Sequence, residues 1–408
     1  MVKGNAVVGQ SGGPTSAINA TLAGVIRGAA EAKASGRIGT LYGMKNGIEG
    51  FLNENLYDLG EHLFDEEWIS TLMQTPAAAL GSCRRRLKSY EDDAETYAKL
   101  LSVIKKYNIR YFFYIGGNDS MDTVLKLSRY AESTGYELYV VGVPKTIDND
   151  LAATDHTPGF GSAAKFVATS VKEIMRDIEV YTVKAVTIVE IMGRDAGWLT
   201  AAAALASEDD GYPLIYLPER VFDVDKFIAD VERRMAVSPA VLVCASEGIR
   251  FANGEYVGAG SQSGATDVFG HKYLSGTGKV LESIVKEKLG CKVRSIELSL
   301  TQRCAAHIAS ATDINESVGV GASAVELALS GNSGVMATID RSSGWEYSVT
   351  YGKADIGNIA NAVRTVPDSY INADSNGITG EGLEYLRPLI MGELAVKYEN
   401  GLPRHIKL

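Results

Sequence analysis

The sequence predicts an α/β fold built on mostly parallel β-sheet with helices packed over both faces. One unit recurs along the chain: a short apolar strand, a Gly-rich or acidic loop, then an amphipathic helix. The strands are short and apolar, as strands covered on both faces are. At 408 residues the chain can bury a large core and form two domains or one large discontinuous unit.

The first unit is Ala6-Val7-Val8-Gly9, the loop Gln10-Ser11-Gly12-Gly13-Pro14-Thr15-Ser16, and a helix with Ile18, Leu22, Val25 and Ile26 on one face. A second runs from Tyr111-Phe112-Phe113-Tyr114-Ile115 through Gly116-Gly117-Asn118-Asp119-Ser120 into a helix lined by Val124, Leu127 and Ala131. The apolar run Leu138 to Val143 leads into Pro144-Lys145-Thr146-Ile147-Asp148-Asn149-Asp150. Later, Ala185 to Glu190 precedes Met192-Gly193-Arg194-Asp195, and Ala240 to Ala245 precedes Ser246-Glu247-Gly248. Right-handed crossovers bring successive strand ends to one sheet edge. The Gly12-Gly13, Gly116-Gly117 and Thr146-to-Asp150 loops are therefore expected to converge where open α/β sheets bind ligands. Gly319-Val320-Gly321 is expected to open a helix and to serve close packing.

Composition narrows the functional classes. A net charge of −10 argues against general nucleic-acid binding and against an anionic membrane surface. Local clusters such as Arg84-Arg85-Arg86-Lys88 can still attract an anionic substrate, although such a run also reads as a solvated loop. Cys83, Cys244, Cys291 and Cys304 have no CxxC spacing, and reduced thiols in the cytoplasm are the simple expectation. No signal peptide is read at Met1-Val2-Lys3-Gly4-Asn5, and no apolar run reaches about 18 residues. His62, His156, His271, His307 and His405 form no HxxxH pattern, so neither a structural zinc nor a histidine phosphoenzyme is expected.

The loops carry chemistry. Gly12-Gly13 lets backbone N–H groups approach a ligand, and a helix N-terminus behind it favours an anion. Alone, Gly-Gly after a strand is more often a tight turn. It is neither a Walker A loop nor GxGxxG, and Gly276-Thr277-Gly278-Lys279 is followed by Val280, so nucleotide-fold fingerprints are missing. Asp148 and Asp150 suit different tasks: one carboxylate to take a hydroxyl proton during phosphoryl transfer, the other to organise Mg²⁺. By itself this segment also reads as an Asx-rich turn; the coincidence of three such loops on one edge favours the site. Arg194 can recognise phosphate, Glu247 can accept from sugar hydroxyls, and Arg294 and Arg303 suit a phosphomonoester. Each of these alone also reads as a surface ion-pair residue.

In order and spacing, Ser11-Gly12-Gly13, Leu80 to Arg84, Gly116 to Ser120, Pro144 to Asp150, Met192 to Asp195, Ser246 to Gly248 and Thr301-Gln302-Arg303 resemble the motifs of the 6-phosphofructokinase family. The resemblance implies two domains with the active site in the cleft between them. Residues 1–159 plus about 302–352 would bind the phosphoryl donor. Residues from about 160 to 301 plus 353–408 would bind fructose 6-phosphate. It further implies Asp148 as the base at the C1 hydroxyl, with Thr146, Ile147, Met192, Gly193, Arg194 and Glu247 at the sugar. Arg303 and Leu300 would lie at the 6-phosphate, joined by Arg294 from a neighbouring subunit of a homodimer or homotetramer. Gly12, Gly13, Arg84, Gly117, Asn118, Asp119 and Lys145 would hold the donor, with Asn118 and Asp150 at Mg²⁺.

ATP-using members carry glycine at the positions of Asp119 and Lys145, whereas this chain is similar to pyrophosphate-using members at both. A carboxylate at 119 would oppose the ATP α-phosphate by volume and charge, and Lys145 would bring a cation to the transferring or departing phosphate. Reversible, Mg²⁺-dependent transfer from pyrophosphate to fructose 6-phosphate, in glycolysis or gluconeogenesis, is the expectation; an ATP-dependent phosphofructokinase is the alternative. A non-catalytic regulatory subunit is disfavoured by the presence of Asp148 and Arg194, and a nicotinamide oxidoreductase by the missing fingerprint. Three departures stand out: Asn118 where an aspartate is common, Leu300 where many members have histidine, and Ala185, beside Lys184, where many bacterial ATP-using members have arginine.

Overall fold

The structure is a computed structural model that describes residues 3–207, 212–261, 276–344, 346–360 and 362–408. Its first part supplies β1 (Gly4–Gln10), β2 (Ile38–Met44), β3 (Leu56–Asp58), β4 (Ile109–Gly116) and β5 (Tyr139–Pro144). The middle supplies β6 (Ala185–Ile191), β7 (Leu214–Tyr216), β8 (Ala240–Ser246) and β9 (Lys292–Glu297), and a later segment β10 (Val335–Arg341) and β11 (Val349–Asp355). One sheet has the order β11-β10-β5-β4-β1-β2-β3 and the other β7-β8-β6-β9. The four-stranded sheet is parallel throughout. In the seven-stranded sheet only the edge pairs β2/β3 and β10/β11 are antiparallel. This is the expected α/β class.

Burial explains why the strands read as apolar runs. In β4, Tyr111, Phe113 and Ile115 join the apolar cluster on one face, and Phe112 and Tyr114 join the cluster on the other. Side chains alternate between faces, so a strand covered on both sides has no polar phase. The same holds for β8, with Leu242 and Cys244 on one face and Val241, Val243 and Ala245 on the other. Helices Ile18–Ala34 and Ala311–Leu329 meet at backbone distance. A Cβ on Gly24 would lie 2.1 Å from the Val318 carbonyl oxygen, and one on Gly321 would lie 2.3 Å from that of Thr21. Gly319-Val320-Gly321 thus sits inside a helix and does not open one, because the close approach occurs midway along it.

The expected domain boundaries need two corrections. Position 352 falls within β11, and Ile356 and Ile359 beyond it bury against the seven-stranded sheet. Val366, Ile371, Tyr385 and Leu389 do pack with the four-stranded sheet. The last residues, however, return to the first unit. The Gln74 side-chain amide donates to the carbonyls of Lys397 (3.0 Å) and Arg404 (2.7 Å), and Ile406 and Leu408 pack on that unit's apolar cluster.

Parallel pairing of β1 with β4 and β4 with β5 sends the three following loops out of one edge. The loops after β6 and β8 leave a common edge of the second sheet. Among the described residues, no helix is long and apolar enough to cross a membrane.

Candidate active site

Those loop sets enclose a cleft of about 740 Å³. Its lining includes Gly12, Gly13, Arg84, Gly117, Asn118, Asp119, Lys145, Thr146, Ile147, Asp148 and Asp150. Met192, Arg194, Glu247, Leu300 and Arg303 complete the sequence-predicted set there. Two predicted residues lie elsewhere. Gly193 does not line the cleft; its amide donates to Glu247 Oε1 at 3.4 Å, so the loop holds its own carboxylate. Arg294 lies on edge strand β9, in a separate groove of about 290 Å³ with Ser170, Ile174 and Asp177.

The loops of the seven-stranded sheet are cross-tied. Gly12 has φ +75°, its amide donates to the Cys83 carbonyl (3.2 Å), and its carbonyl accepts from Ser82 Oγ (2.7 Å). The amide of Gly12 is therefore engaged by protein, and the helix behind begins only at Ile18 after a buried Ala17. Of the donors expected in this loop, the Gly12 amide is thus spent on Cys83. The helix N-terminus bordering the cleft belongs to Asn118–Thr134, with Gly117 as its N-cap. Asp119 in that first turn puts a carboxylate where the helix dipole favours negative charge.

Lys145 is 2% exposed. Its Nζ donates to the Gly13 carbonyl at 2.6 Å and its amide to the Gly116 carbonyl at 3.0 Å, joining two loops. Burial pushes its pKa down to about 8, against the pull of Asp148, which leaves it mostly cationic near neutrality. Thr146 Oγ1 donates to Asp148 Oδ2 (3.2 Å) and accepts from the Asp148 amide (3.1 Å). Burial raises the Asp148 pKa, opposed by the Thr146 hydrogen bond and the Lys145 charge. Asp150 is pushed up to about 7 by burial and then by the charge of Asp148.

Asn118 Nδ2 donates to Asp150 Oδ2 at 3.3 Å, while the buried Asn118 Oδ1 has no hydrogen-bond partner. That orphan oxygen beside a carboxylate suits a hard cation that takes few protein oxygens and fills its shell with water and phosphate. Among the described residues, no group of three or more His, Cys, Asp or Glu gathers as a metal cage. His271 lies outside the described residues.

On the other side, the Met192 amide donates to Gln302 Oε1 (3.2 Å), and Ser246 Oγ donates to the Gly193 carbonyl. A Cβ on Gly248 would sit 2.0 Å from the Arg194 carbonyl oxygen, so the loops after β6 and β8 touch backbone to backbone. Glu247 is pushed up to about 7 by burial, with the Gly193 amide opposing. Arg303 Nη1 would lie 3.2 Å from a Cβ on Gly13, and burial and then Arg84 lower its pKa. Arg303 therefore leans toward the Gly12-Gly13 loop as well as the sugar side. Leu300 is 55% exposed and brings no charge to the cleft.

Sequence reasoning missed several supporting groups. Glu190 caps the Gly276-Thr277-Gly278 turn through the Gly278 amide (2.7 Å), which binds that helix start to the chain's own carboxylate. An acid ending an apolar strand was its signal. Gln302, which steadies the Met192 amide, and the Ser11–Ser120 hydroxyl pair had no signal beyond lying in the motifs.

A buried cation, a carboxylate and a helix N-terminus on one wall, facing Arg194 and Arg303 on the other, are what a phosphotransferase cleft needs. A family model for phosphofructokinase matches residues 5–328, and the chain belongs to that family. It is 45% identical to a Xanthomonas campestris protein named pyrophosphate–fructose 6-phosphate 1-phosphotransferase, covering 100% of this chain and 97% of that one. A Methylococcus capsulatus protein of the same name is 43% identical, with 100% and 96% covered. The crystal structure of a pyrophosphate-dependent phosphofructokinase from Nitrosospira multiformis matches with TM-score 0.88 at 39% identity, covering 100% of this chain and 96% of that chain.

Proposed function

We infer that this chain transfers a phosphoryl group from pyrophosphate to the C1 hydroxyl of fructose 6-phosphate, giving fructose 1,6-bisphosphate and phosphate. The observation that carries the choice of donor is the buried Lys145 cation fixed on Gly13, with Asp119 in the neighbouring helix turn. Pyrophosphate has no adenosine to hold, so its recognition rests on direct charge complementation. Lys145 supplies that charge, and Asp119 disfavours a third phosphate.

Asp148 takes the C1 proton as the new O–P bond forms. The bridging P–O bond breaks, and its electron pair leaves with phosphate beside Lys145. A carboxylate whose pKa burial has raised is a better base for this step than a solvated one. Arg194 and Glu247 orient the sugar, and Arg303 binds phosphate near the junction of the two subsites. Asn118 and Asp150 would hold Mg²⁺, which offsets negative charge on the donor.

Arg294, remote from its own cleft on an edge strand, supports a site completed by another copy in a homodimer or homotetramer. A cytoplasmic setting agrees with a phosphorylated-sugar substrate and four free cysteines. Purified protein assayed with fructose 6-phosphate, Mg²⁺ and either donor tests the reading. Turnover with pyrophosphate and little with ATP is expected, and turnover with ATP alone would overturn it.

A further inference from the structure

Asn149 stands between the two carboxylates and turns them apart. Its φ of +54° is left-handed, a conformation that asparagine tolerates but that still needs support. Asn149 Oδ1 accepts from the Thr157 amide (3.1 Å), and Nδ2 donates to the Tyr385 hydroxyl (3.1 Å). Tyr385 belongs to the helix Gly380–Leu386 and is packed among apolar residues of the four-stranded sheet.

The same hydroxyl accepts from Arg364 Nη2 (3.1 Å) and donates to the Asp155 carbonyl (2.7 Å). A phenol has one proton and two lone pairs, and here all three are engaged. The Arg364 amide in turn donates to the Asp150 carbonyl at 2.8 Å. One oxygen from the far end of the chain thus ties the catalytic loop at Asn149 and Asp155, and its arginine partner ties it at Asp150. Arg364 and Arg341 stack their guanidinium groups on Trp198 (4.4 Å) and on the Tyr385 ring (4.4 Å), which limits where the phenol can go.

We propose that Tyr385 is a positioning residue for phosphoryl transfer: through Asn149 it fixes the direction of Asp148 without touching either substrate. The proposal rests on Asp148 being the base. Tyr385 does not line the cleft, and none of its hydrogen bonds goes to Lys145, Arg194, Glu247 or Arg303. Removing its oxygen therefore leaves Lys145, Arg194, Glu247 and Arg303 in place and loosens the loop that carries Asp148. A misplacement of about 1 Å at a reacting group costs on the order of 10²-fold in rate.

Tyr385→Phe is expected to lower kcat by about 10- to 100-fold, with KM for both substrates within about threefold of wild type. Asn149→Gly keeps the left-handed backbone accessible but cuts the tie, and should give the same split. The double variant should be no slower than Asn149→Gly alone. Additive losses, or a Tyr385→Phe enzyme with wild-type kcat, overturn the proposal. Should Tyr385→Phe fail to fold, Asn149→Gly decides alone, since a wild-type kcat there also overturns it. Asp148→Asn run in parallel separates the two claims. Normal turnover in that variant defeats the assignment of the base. A dead Asp148→Asn beside a normal Tyr385→Phe defeats only the positioning role.

Discussion

The two walls of the cleft are held by different means. On the seven-stranded sheet the functional groups are buried and bonded to protein: Lys145 to Gly13, Asp148 to Thr146, Asn118 to Asp150. On the four-stranded sheet the loop backbones are equally well fixed, by Gln302, Ser246 and Glu247. The residues expected to meet the sugar phosphate are not: Leu300 is exposed, Arg303 is only half buried, and Arg294 lies outside the cleft. The charges proposed to select the donor are thus fixed and desolvated, where each group acts strongly. The side chains proposed to recognise the acceptor are more exposed or lie outside the cleft.

Asp148, the proposed base, should dominate any variant series. Asp148→Asn is expected to cut kcat by about 10²- to 10⁴-fold with little change in KM for the sugar. A comparable rise in that KM would place Asp148 on the acceptor wall instead. Next comes the donor wall itself. Lys145→Met removes a buried cation and should cost about 10²- to 10³-fold in kcat/KM for pyrophosphate. The KM for fructose 6-phosphate should stay within a few fold, and equal losses for both substrates would erase the division.

Arg303 tests how sharp the division is, because its guanidinium reaches toward Gly13 and Arg84. Loss of a charged hydrogen bond is worth about 1.5–3 kcal/mol, or roughly 10- to 150-fold in affinity. Arg303→Ala should therefore raise KM for the sugar phosphate by about that factor and also weaken pyrophosphate by a smaller one. Steady-state kinetics with each substrate varied in turn measures both. A change confined to the sugar would return Arg303 wholly to the acceptor wall.

The donor wall was legible in the sequence because local patterns made it. Strand, glycine pair and acidic loop follow one another within a few residues, and parallel pairing brings them together. Lys145 stood out as a charge at a strand end, and Asp119 through the resemblance to pyrophosphate-using members. What supports them was not legible. Tyr385 and Arg364 reach the catalytic loop from the far end of the chain, and no spacing rule links a tyrosine in a short helix to Asn149. The return of the last residues to the first unit was hidden for the same reason: two tail backbone carbonyls finding Gln74 leave no pattern. A Gly-Gly loop after a strand looks alike whether its first amide meets a ligand or, as at Gly12, the Cys83 carbonyl, so that detail was not legible.

The smallest effect concerns what joins the walls. His156 is buried with Nδ1 2.8 Å from Asp155 Oδ2 and Nε2 2.6 Å from Glu316 Oε2, a pairing of both ring nitrogens with carboxylates that favours the charged imidazole. Burial opposes that charge, but the hydrogen bonds to Asp155 and Glu316 outweigh it and raise the pKa above the ordinary value. Glu316 also accepts from Tyr347, and Asp155 from Arg341, so both carboxylates stay engaged at the seam. A group whose pKa rises on folding binds more protons in the native state. Its contribution is complete below about pH 6.5, the unfolded value, and is lost as pH climbs through the folded value. Stability should therefore fall with rising pH above about 6.5, with at most one proton's slope, ~1.4 kcal/mol per pH unit. His156→Gln should be less stable at pH 6 and should lack that part of the slope. Urea denaturation midpoints at intervals from pH 6 to 9 compare the two proteins, and parallel curves would mean that His156 binds no more protons in the native state than in the unfolded one.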